Sequence, residues 1–173
     1  DESSAWNFHK GSRLQWIDSN ILIFNTSCKN KLVSKLINIK SNESIIFDFP
    51  IDSISIDGTL ASSFSYERLN KFMPGYGYDG SIDDGFLQEK ASSKTGIFIY
   101  SLKSKNLIKM ISLKQLLILD KNESTISKFN HYVTHSEFSK DGRYLSFLHR
   151  WVGYDIKERK SKLLIYDMNE DRI

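Results

Sequence analysis

Hydrophobic positions in this chain come in short runs that alternate with polar ones, and the runs are closed by turn-forming pairs. The clearest example runs from His131 to Trp151, where His131-Tyr-Val-Thr-His-Ser-Glu-Phe138 and Tyr144-Leu-Ser-Phe-Leu-His-Arg-Trp151 flank Asp141-Gly142. The alternation predicts two strands. Asp tolerates left-handed geometry and Gly supplies positive φ without steric cost, so the pair between them predicts a tight hairpin. The same grammar occurs earlier. Ser55-Ile-Asp57-Gly58-Thr-Leu-Ala-Ser-Ser63 aligns without a gap on Ser139-Lys-Asp141-Gly142-Arg-Tyr-Leu-Ser-Phe147. A degenerate copy, Trp16-Ile-Asp18-Ser19-Asn20-Ile-Leu-Ile-Phe24, replaces the Asp-Gly turn by Asp-Ser-Asn.

Each copy is followed by a second hairpin. Lys35–Ile39 closes on Lys40-Ser-Asn-Glu43, Ile97–Leu102 on Lys103-Ser-Lys-Asn106, and Leu163–Met168 on Asn169-Glu-Asp171. Runs of β-branched and aromatic residues ending in polar turns are strand signals. Two hairpins per repeat make a four-stranded antiparallel sheet, the blade of a propeller. The fold expected is therefore all-β, a partial β-propeller of about three four-stranded antiparallel blades spanning 13–49, 52–113 and 133–173, with the third incomplete. Rings of this kind close with roughly 4 to 8 blades. The count predicts a piece of a longer propeller, or a ring completed by another chain. Exposed blade edges invite pairing, so self-association through them is expected.

Two segments break the pattern. The insertion Tyr66–Lys94 separates the hairpins of the second repeat and carries Pro74-Gly-Tyr76-Gly-Tyr78. Loops longer than roughly 12 to 15 residues are usually functional or disordered. Tyrosines on glycine hinges offer flat apolar faces with polar tips, suited to a sugar ring or a protein partner. The alternative is that Tyr76 and Tyr78 cap the hydrophobic top of the blade. Asp79, Asp83 and Asp84 follow, without the register of a helix–loop–helix calcium site. The second segment, Lys114–Asn130, begins beside a short helix predicted over 113–119 with Ser112 as N-cap and Leu113, Leu116, Leu117 and Leu119 turned toward the blades.

Composition changes this picture little. Apolar residues make up 40%, enough for a core, and 24 basic against 21 acidic residues leave a net charge of +3. That charge is small and spread along the chain, which argues against nucleic acid binding. No apolar run approaches the ~20 residues of a membrane span. The single cysteine, Cys28, excludes an internal disulfide, which leans toward a reducing, cytoplasmic setting over a secreted one.

The opening Ala5-Trp-Asn-Phe-His-Lys-Gly-Ser-Arg-Leu-Gln-Trp16, the Ser55-x-Asp57-Gly58 repeat with Phe64-x-x-x-Arg68-Leu69 and Pro74–Tyr78, and His131-x-x-x-His135 with Phe147-Leu-His-Arg-Trp151 belong together. In combination they resemble bacterial WD40-like and TolB-like β-propeller proteins, and more distantly oligogalacturonate lyase. The lyase resemblance implies a divalent metal held on histidines and a glutamine in the central channel, with arginine and histidine serving β-elimination from a uronic acid. His131 and His135 are the histidines that would take the metal. This sequence has no close His-x-His pair preceded by Gln.

Strand geometry constrains those histidines independently. A period of two puts His131, Val133 and His135 on one face, but ligands four apart on a strand stand roughly 13 Å apart at ~3.3 Å per residue. They could share a metal only if the strand bends or starts after His131. The expectation is therefore that His131 lies in the preceding loop, and that His135 on the strand meets His149 across the hairpin. A structural role, with both rings packed between blades, is the competing reading. Phe138 should pair with Tyr144 or Leu145.

Two functions follow. One is a non-catalytic module that binds a carbohydrate or a protein through Tyr76, Tyr78, Arg68, His149 and Arg150, with no cofactor. The other is a metal-assisted carbohydrate-active enzyme such as a polysaccharide lyase, with Arg68 and Arg150 clamping a carboxylate bidentately. Arg150 has a plainer alternative as the ion-pair partner of Glu137 or Asp155.

Overall fold

A computed structural model describes residues 4–78, 85–121, 123–153 and 155–173. The Asp79, Asp83 and Asp84 run lies outside them. The chain forms three antiparallel sheets. The first contains β1 (Gln15–Trp16), β2 (Ile21–Cys28), β3 (Lys31–Asn38) and β4 (Ser44–Phe47), in that order. The second contains β5 (Ser53–Ile54), β6 (Leu60–Phe64), β7 (Gly96–Ser101) and β8 (Leu107–Ser112), also in chain order. In the third, β9 (Asn130–Phe138), β10 (Tyr144–Val152) and β11 (Lys160–Asp167) pair as three strands. No sheet closes on itself, and neighbouring strands run antiparallel in chain order, β6 and β7 being joined through the long insertion, with the first strand of each sheet at its edge. This is a partial β-propeller with an incomplete third blade.

The repeated turns share one hydrogen-bond pattern. Ser55 Oγ donates to Asp57 Oδ1 (2.5 Å) while Leu60 N donates to Ser55 Oγ (2.9 Å). Ser139 Oγ donates to Asp141 Oδ1 (2.5 Å) while Tyr144 N donates to Ser139 Oγ (2.9 Å). Gly58 and Gly142 take φ of +66° and +71°, the geometry that made Asp-Gly readable as a turn. In the degenerate copy Asp18 Oδ1 still accepts from Asn20 N (2.7 Å) and Ile21 N (2.8 Å). The backbone closes differently, without a left-handed residue, as Ile17 N and Asp18 N both donate to the Ile21 carbonyl.

The blades pack face to face. Ile23, Phe47, Phe49, Ile51, Ala61 and Leu102 fill the space between the first two sheets. Leu145 and Phe147 of β10, Ile97, Ile99 and Ile111 of the second sheet, and Tyr166 of β11 build the larger core between the second and third. Apolar side chains also remain exposed on outer strands, among them Ile45 and Ile46 on β4 and Leu163 and Ile165 on β11.

The predicted helix forms as α2 (Leu113–Ile118), capped by a reciprocal Ser112–Gln115 box, with Leu113, Leu116 and Leu117 buried, whereas Leu119, its C-cap, is exposed and does not reach the blades. The insertion holds a second helix, α1 (Tyr66–Phe72), where a loop was expected. Ser65 Oγ accepts from Arg68 N (3.1 Å) and starts it. Its buried side, Tyr66, Arg68 and Leu69, lies against β9. A four-residue helix, α3 (Glu123–Ile126), precedes that strand.

Candidate functional site

The first strands of the three sheets meet around one carboxylate. Asp52, just before β5, is fully buried. Lys10 Nζ lies 2.6 Å and Arg13 Nε 3.2 Å from its Oδ1. Ser136 of β9 donates to its Oδ2 from both backbone N (2.7 Å) and Oγ (2.8 Å). The arginine also binds the Asp52 carbonyl, and Tyr66 Oη donates to the neighbouring Ile51 carbonyl at 2.7 Å. Burial opposes ionisation of Asp52, but the two cations and the Ser136 donor outweigh it and hold the carboxyl below the usual range. For Lys10, burial lowers the pKa and Asp52 only partly restores it. The pair is matched, desolvated and structural.

The segment that carries Lys10 also builds an aromatic surface. Asn7 is buried and acts as a brace: Oδ1 accepts from His9 N (3.1 Å) and Lys10 N (2.6 Å), and Nδ2 donates to Gly77 O (2.9 Å). The exposed His9 ring is thereby stacked on Tyr76, with centroids 4.0 Å apart and planes 3° from parallel. Gly77 beside it admits no side chain, since a Cβ would collide with the Tyr66 carbonyl and the Asn70 backbone. The Tyr76 loop is therefore pinned to α1.

His135 completes this surface through a β-bulge. Ser146 opposes Glu137 and Leu148 opposes Thr134, so His135 and Ser136 together face the single residue Phe147. His135 takes φ +55°. An extra residue of this kind changes the phase of the strand. His131 and Val133 keep the core face, His135 swings out to solvent, and Ser136 points inward to Asp52. The exposed ring stands 6.3 Å from Tyr76. Burial first, then the charges of Lys10, Arg150 and Arg13, depress its pKa, with Asp52 pulling the other way.

This corrects two expectations about histidine. His131 lies within β9, not in the loop before it, and the histidine that meets His149 is His131, not His135. The register sets Trp151 opposite His131 and Val133 opposite His149, which makes the histidines diagonal neighbours on one face. His131 Nδ1 and His149 Nε2 are 2.9 Å apart, and His131 Nε2 is 2.9 Å from the Ile126 carbonyl. A carbonyl only accepts, so His131 carries its proton on Nε2 and His149 donates from its own Nε2. That leaves His149 Nδ1 as a bare acceptor, and it has no partner. Burial, then the neighbouring His131, pushes the His149 pKa down to about 3, and burial lowers His131 as well. Both rings are neutral core groups beside Trp151. Phe138 pairs with Leu145, one of its two expected partners.

The remaining candidates separate. Tyr76 and Arg150 are half-buried at the edge of the surface that His9 and His135 expose, Tyr76 with its inner side against the core and the arginine with Nη1 3.0 Å from Met73 Sδ. Neither Glu137 nor Asp155 pairs with Arg150, and no carboxylate of the described residues lies within 4 Å of it. Arg68 is buried and spans the base of the insertion. It donates to the carbonyls of His131 (2.6 Å), Phe86 (2.8 Å), Lys90 (3.1 Å) and Glu89. Its fork holds backbone, not an exposed carboxylate clamp. Tyr78 is also buried, stacked on Tyr66 at 4.6 Å with Asn25 Nδ2 donating to its hydroxyl at 3.2 Å. Burial pushes its pKa up to about 12. The residues that the sequence did not single out are His9, Lys10, Arg13, Asp52, Tyr132 and Arg159. His9, Lys10 and Arg13 lay within the Ala5–Trp16 stretch, read as a family entry motif and not as a brace.

Among the described residues, no three His, Cys, Asp or Glu side chains stand together as a metal would require, and His131 and His135 turn to opposite sides of β9. No helix of the described residues is long and apolar enough to cross a membrane.

No protein-family model matches the chain, and no curated protein matches it. Solved structures do. The chain is similar to an acylaminoacyl peptidase in complex with a chloromethyl ketone (13% identity, TM-score 0.50), covering 92% of this chain and 24% of that one. An acylaminoacyl peptidase from Pyrococcus horikoshii (10% identity, TM-score 0.50) covers 99% and 25%. The β-propeller domain of the Trilobed protease from Pyrococcus furiosus (14% identity, TM-score 0.48) covers 90% and 38%. The chain thus spans between about a quarter and two fifths of these structures. At such identities the likeness concerns the fold: the chain has a β-propeller fold.

Proposed function

We propose that the chain is a non-catalytic recognition module that binds a carbohydrate or protein ligand on the surface formed by His9, Tyr76, His135 and Arg150. The observation that carries this reading is the near-parallel stack of the exposed His9 ring on the half-buried Tyr76, with a bulge-presented histidine beside it. An aromatic face next to ring nitrogens and a guanidinium suits a sugar ring, which offers apolar C–H faces and hydroxyls together. The rigid attachment of Tyr76 through Asn7 and Gly77 limits the ordering cost of binding. The lyase-like alternative loses its support, because its two metal histidines face apart and Arg68 is committed to backbone. The peptidase likeness brings the fold and no activity. Self-association through the exposed apolar edges stays part of the proposal and would appear in sedimentation.

The test is titration of the full chain with neutral and uronic-acid oligosaccharides, following the histidine and tyrosine ring signals by NMR. Saturable shifts of His9, Tyr76 and His135 that vanish in Tyr76→Ala support the module. Turnover of an acidic oligosaccharide, or shifts confined to other residues, would overturn it.

A further inference from the structure

One cluster of polar groups is left without acceptors. Tyr132 of β9 is 1% exposed, and no group meets its hydroxyl at hydrogen-bonding distance and angle. Burial pushes its pKa up, while the nearby Arg159 and Arg150 guanidinium groups pull it down. Its ring lies against Phe72 at the end of α1, with centroids 6.1 Å apart. Arg150 is its cross-strand partner on β10. Arg159, just before β11, reaches over the same place and donates from Nη2 to Phe72 O at 2.8 Å. The Nε groups of both arginines are buried without partners. Neither arginine forms an ion pair among the described residues. Around Tyr132 Oη the charged groups of the described residues are the two guanidinium groups, with no carboxylate among them.

Such an arrangement is costly as it stands. Like charges repel, and each buried donor without an acceptor costs about 1–3 kcal/mol. Native proteins rarely leave several such groups together, and an absent ion or water is the usual explanation. A role for Arg159 at the C-terminus of α1 accounts for its bond to Phe72 but not for its buried Nε. The Arg150–Met73 contact engages only a weak thioether acceptor. Both arginines remain partly open to solvent, so an anion can approach from their outer side.

We propose that Arg150, Arg159 and Tyr132 form a carboxylate-binding site, with the two guanidinium groups pairing the anion and the phenol donating to one of its oxygens. A carboxylate matches this set, since its two oxygens accept from several coplanar donors at once. The site deepens the recognition surface proposed above, with which it shares Arg150, by giving that surface an acidic ligand. The carboxylate could belong to a sugar acid or to a peptide terminus.

The test uses the ¹⁵N-labelled full chain and follows arginine Nε–H signals at constant ionic strength. Sodium glucuronate and N-acetylglycine, representing the two sources, are titrated separately against sodium chloride. Saturable shifts of the Arg150 and Arg159 signals with either carboxylate, absent with chloride, are expected, and the tighter of the two identifies the source. Tyr132→Phe keeps the ring and should weaken binding roughly tenfold, while Arg159→Gln should abolish it. No saturable shift, or shifts that persist unchanged in Tyr132→Phe, would overturn the site. Carboxylate binding without any response of Tyr76 would support the site while removing the aromatic surface reading. A Tyr76 response to neutral sugars with silent arginines would do the reverse.

Discussion

Asp52, just before β5, and Tyr132, on β9, both lie at the first strand of a blade, yet their surroundings are opposite. Around Asp52, two cations, two serine donors and one carboxylate are arranged so that the charge is neutralised and the acceptors are used. Around Tyr132, two cations and a phenol converge, and both arginine Nε groups and the phenol hydroxyl are left without a partner. The first arrangement serves the fold, since satisfied buried polar networks fix which strands lie together. The second lacks a component, which marks it as a place for something from outside. Both are arginine-containing clusters, so charge alone does not separate structure from function. The balance of donors and acceptors does.

Mutation of the matched cluster should have the largest effect. Asp52→Ala leaves Lys10 and Arg13 buried beside a missing partner, and breaking a buried pair of this kind costs about 3–5 kcal/mol. Urea unfolding should show that loss, and a midpoint unchanged from the wild type would mean the pair is only incidental. The histidine pair should give the next largest effect, through pH. His149 has a folded pKa of about 3 against an unfolded value of ~6.5, so the unfolded chain binds the extra proton between those limits. Stability from the neutral pair is complete above ~6.5 and falls as the pH drops through the window, by up to about 1.4 kcal/mol per unit for each such group. His149→Leu should flatten that slope, as read by thermal melts from pH 7 to pH 4. Asp52 adds a further loss only below ~3.9, because its folded pKa is depressed and its contribution disappears as the pH falls through that folded value.

At the exposed surface the stability effects should be small. Tyr76→Ala removes a stack worth about 0.5–1.5 kcal/mol at most, and its main consequence should be loss of ligand shifts. A fall of several kcal/mol in the unfolding free energy would place Tyr76 in the core instead. Tyr132→Phe should leave the ligand-free protein as stable as before, or slightly more so, because it removes an unsatisfied hydroxyl.

Strand order and turns were legible in the sequence because they depend on neighbours in the chain. Ser55 with Asp57-Gly58 and Ser139 with Asp141-Gly142 carry their own hydrogen bonds within five residues. The α2 cap was legible for the same reason. The site was harder to read. His131, Val133 and His135 alternate correctly on paper, and only the bulge opposite Phe147 shows that the third of them leaves the face. Arg68 and Arg150 have identical side chains, and their different fates depend on contacts with Phe86, Lys90 and Met73, distant in sequence. Asp52 looks like any loop aspartate until Lys10, Arg13 and Ser136 arrive from three separate segments. Tyr78 differs from Tyr76 only in pointing toward Tyr66.

The placement of Asp52 also bears on how the blades come apart. Repeat architectures tend to behave as linear arrays, in which one unit can open while its neighbours stay folded. Here a single carboxylate ties the lead-in to β1, the start of β5 and the middle of β9, so opening any one blade strands charges in the other two. The three blades should accordingly melt as one cooperative unit, and the independence expected of stacked repeats should emerge only when that tie is cut.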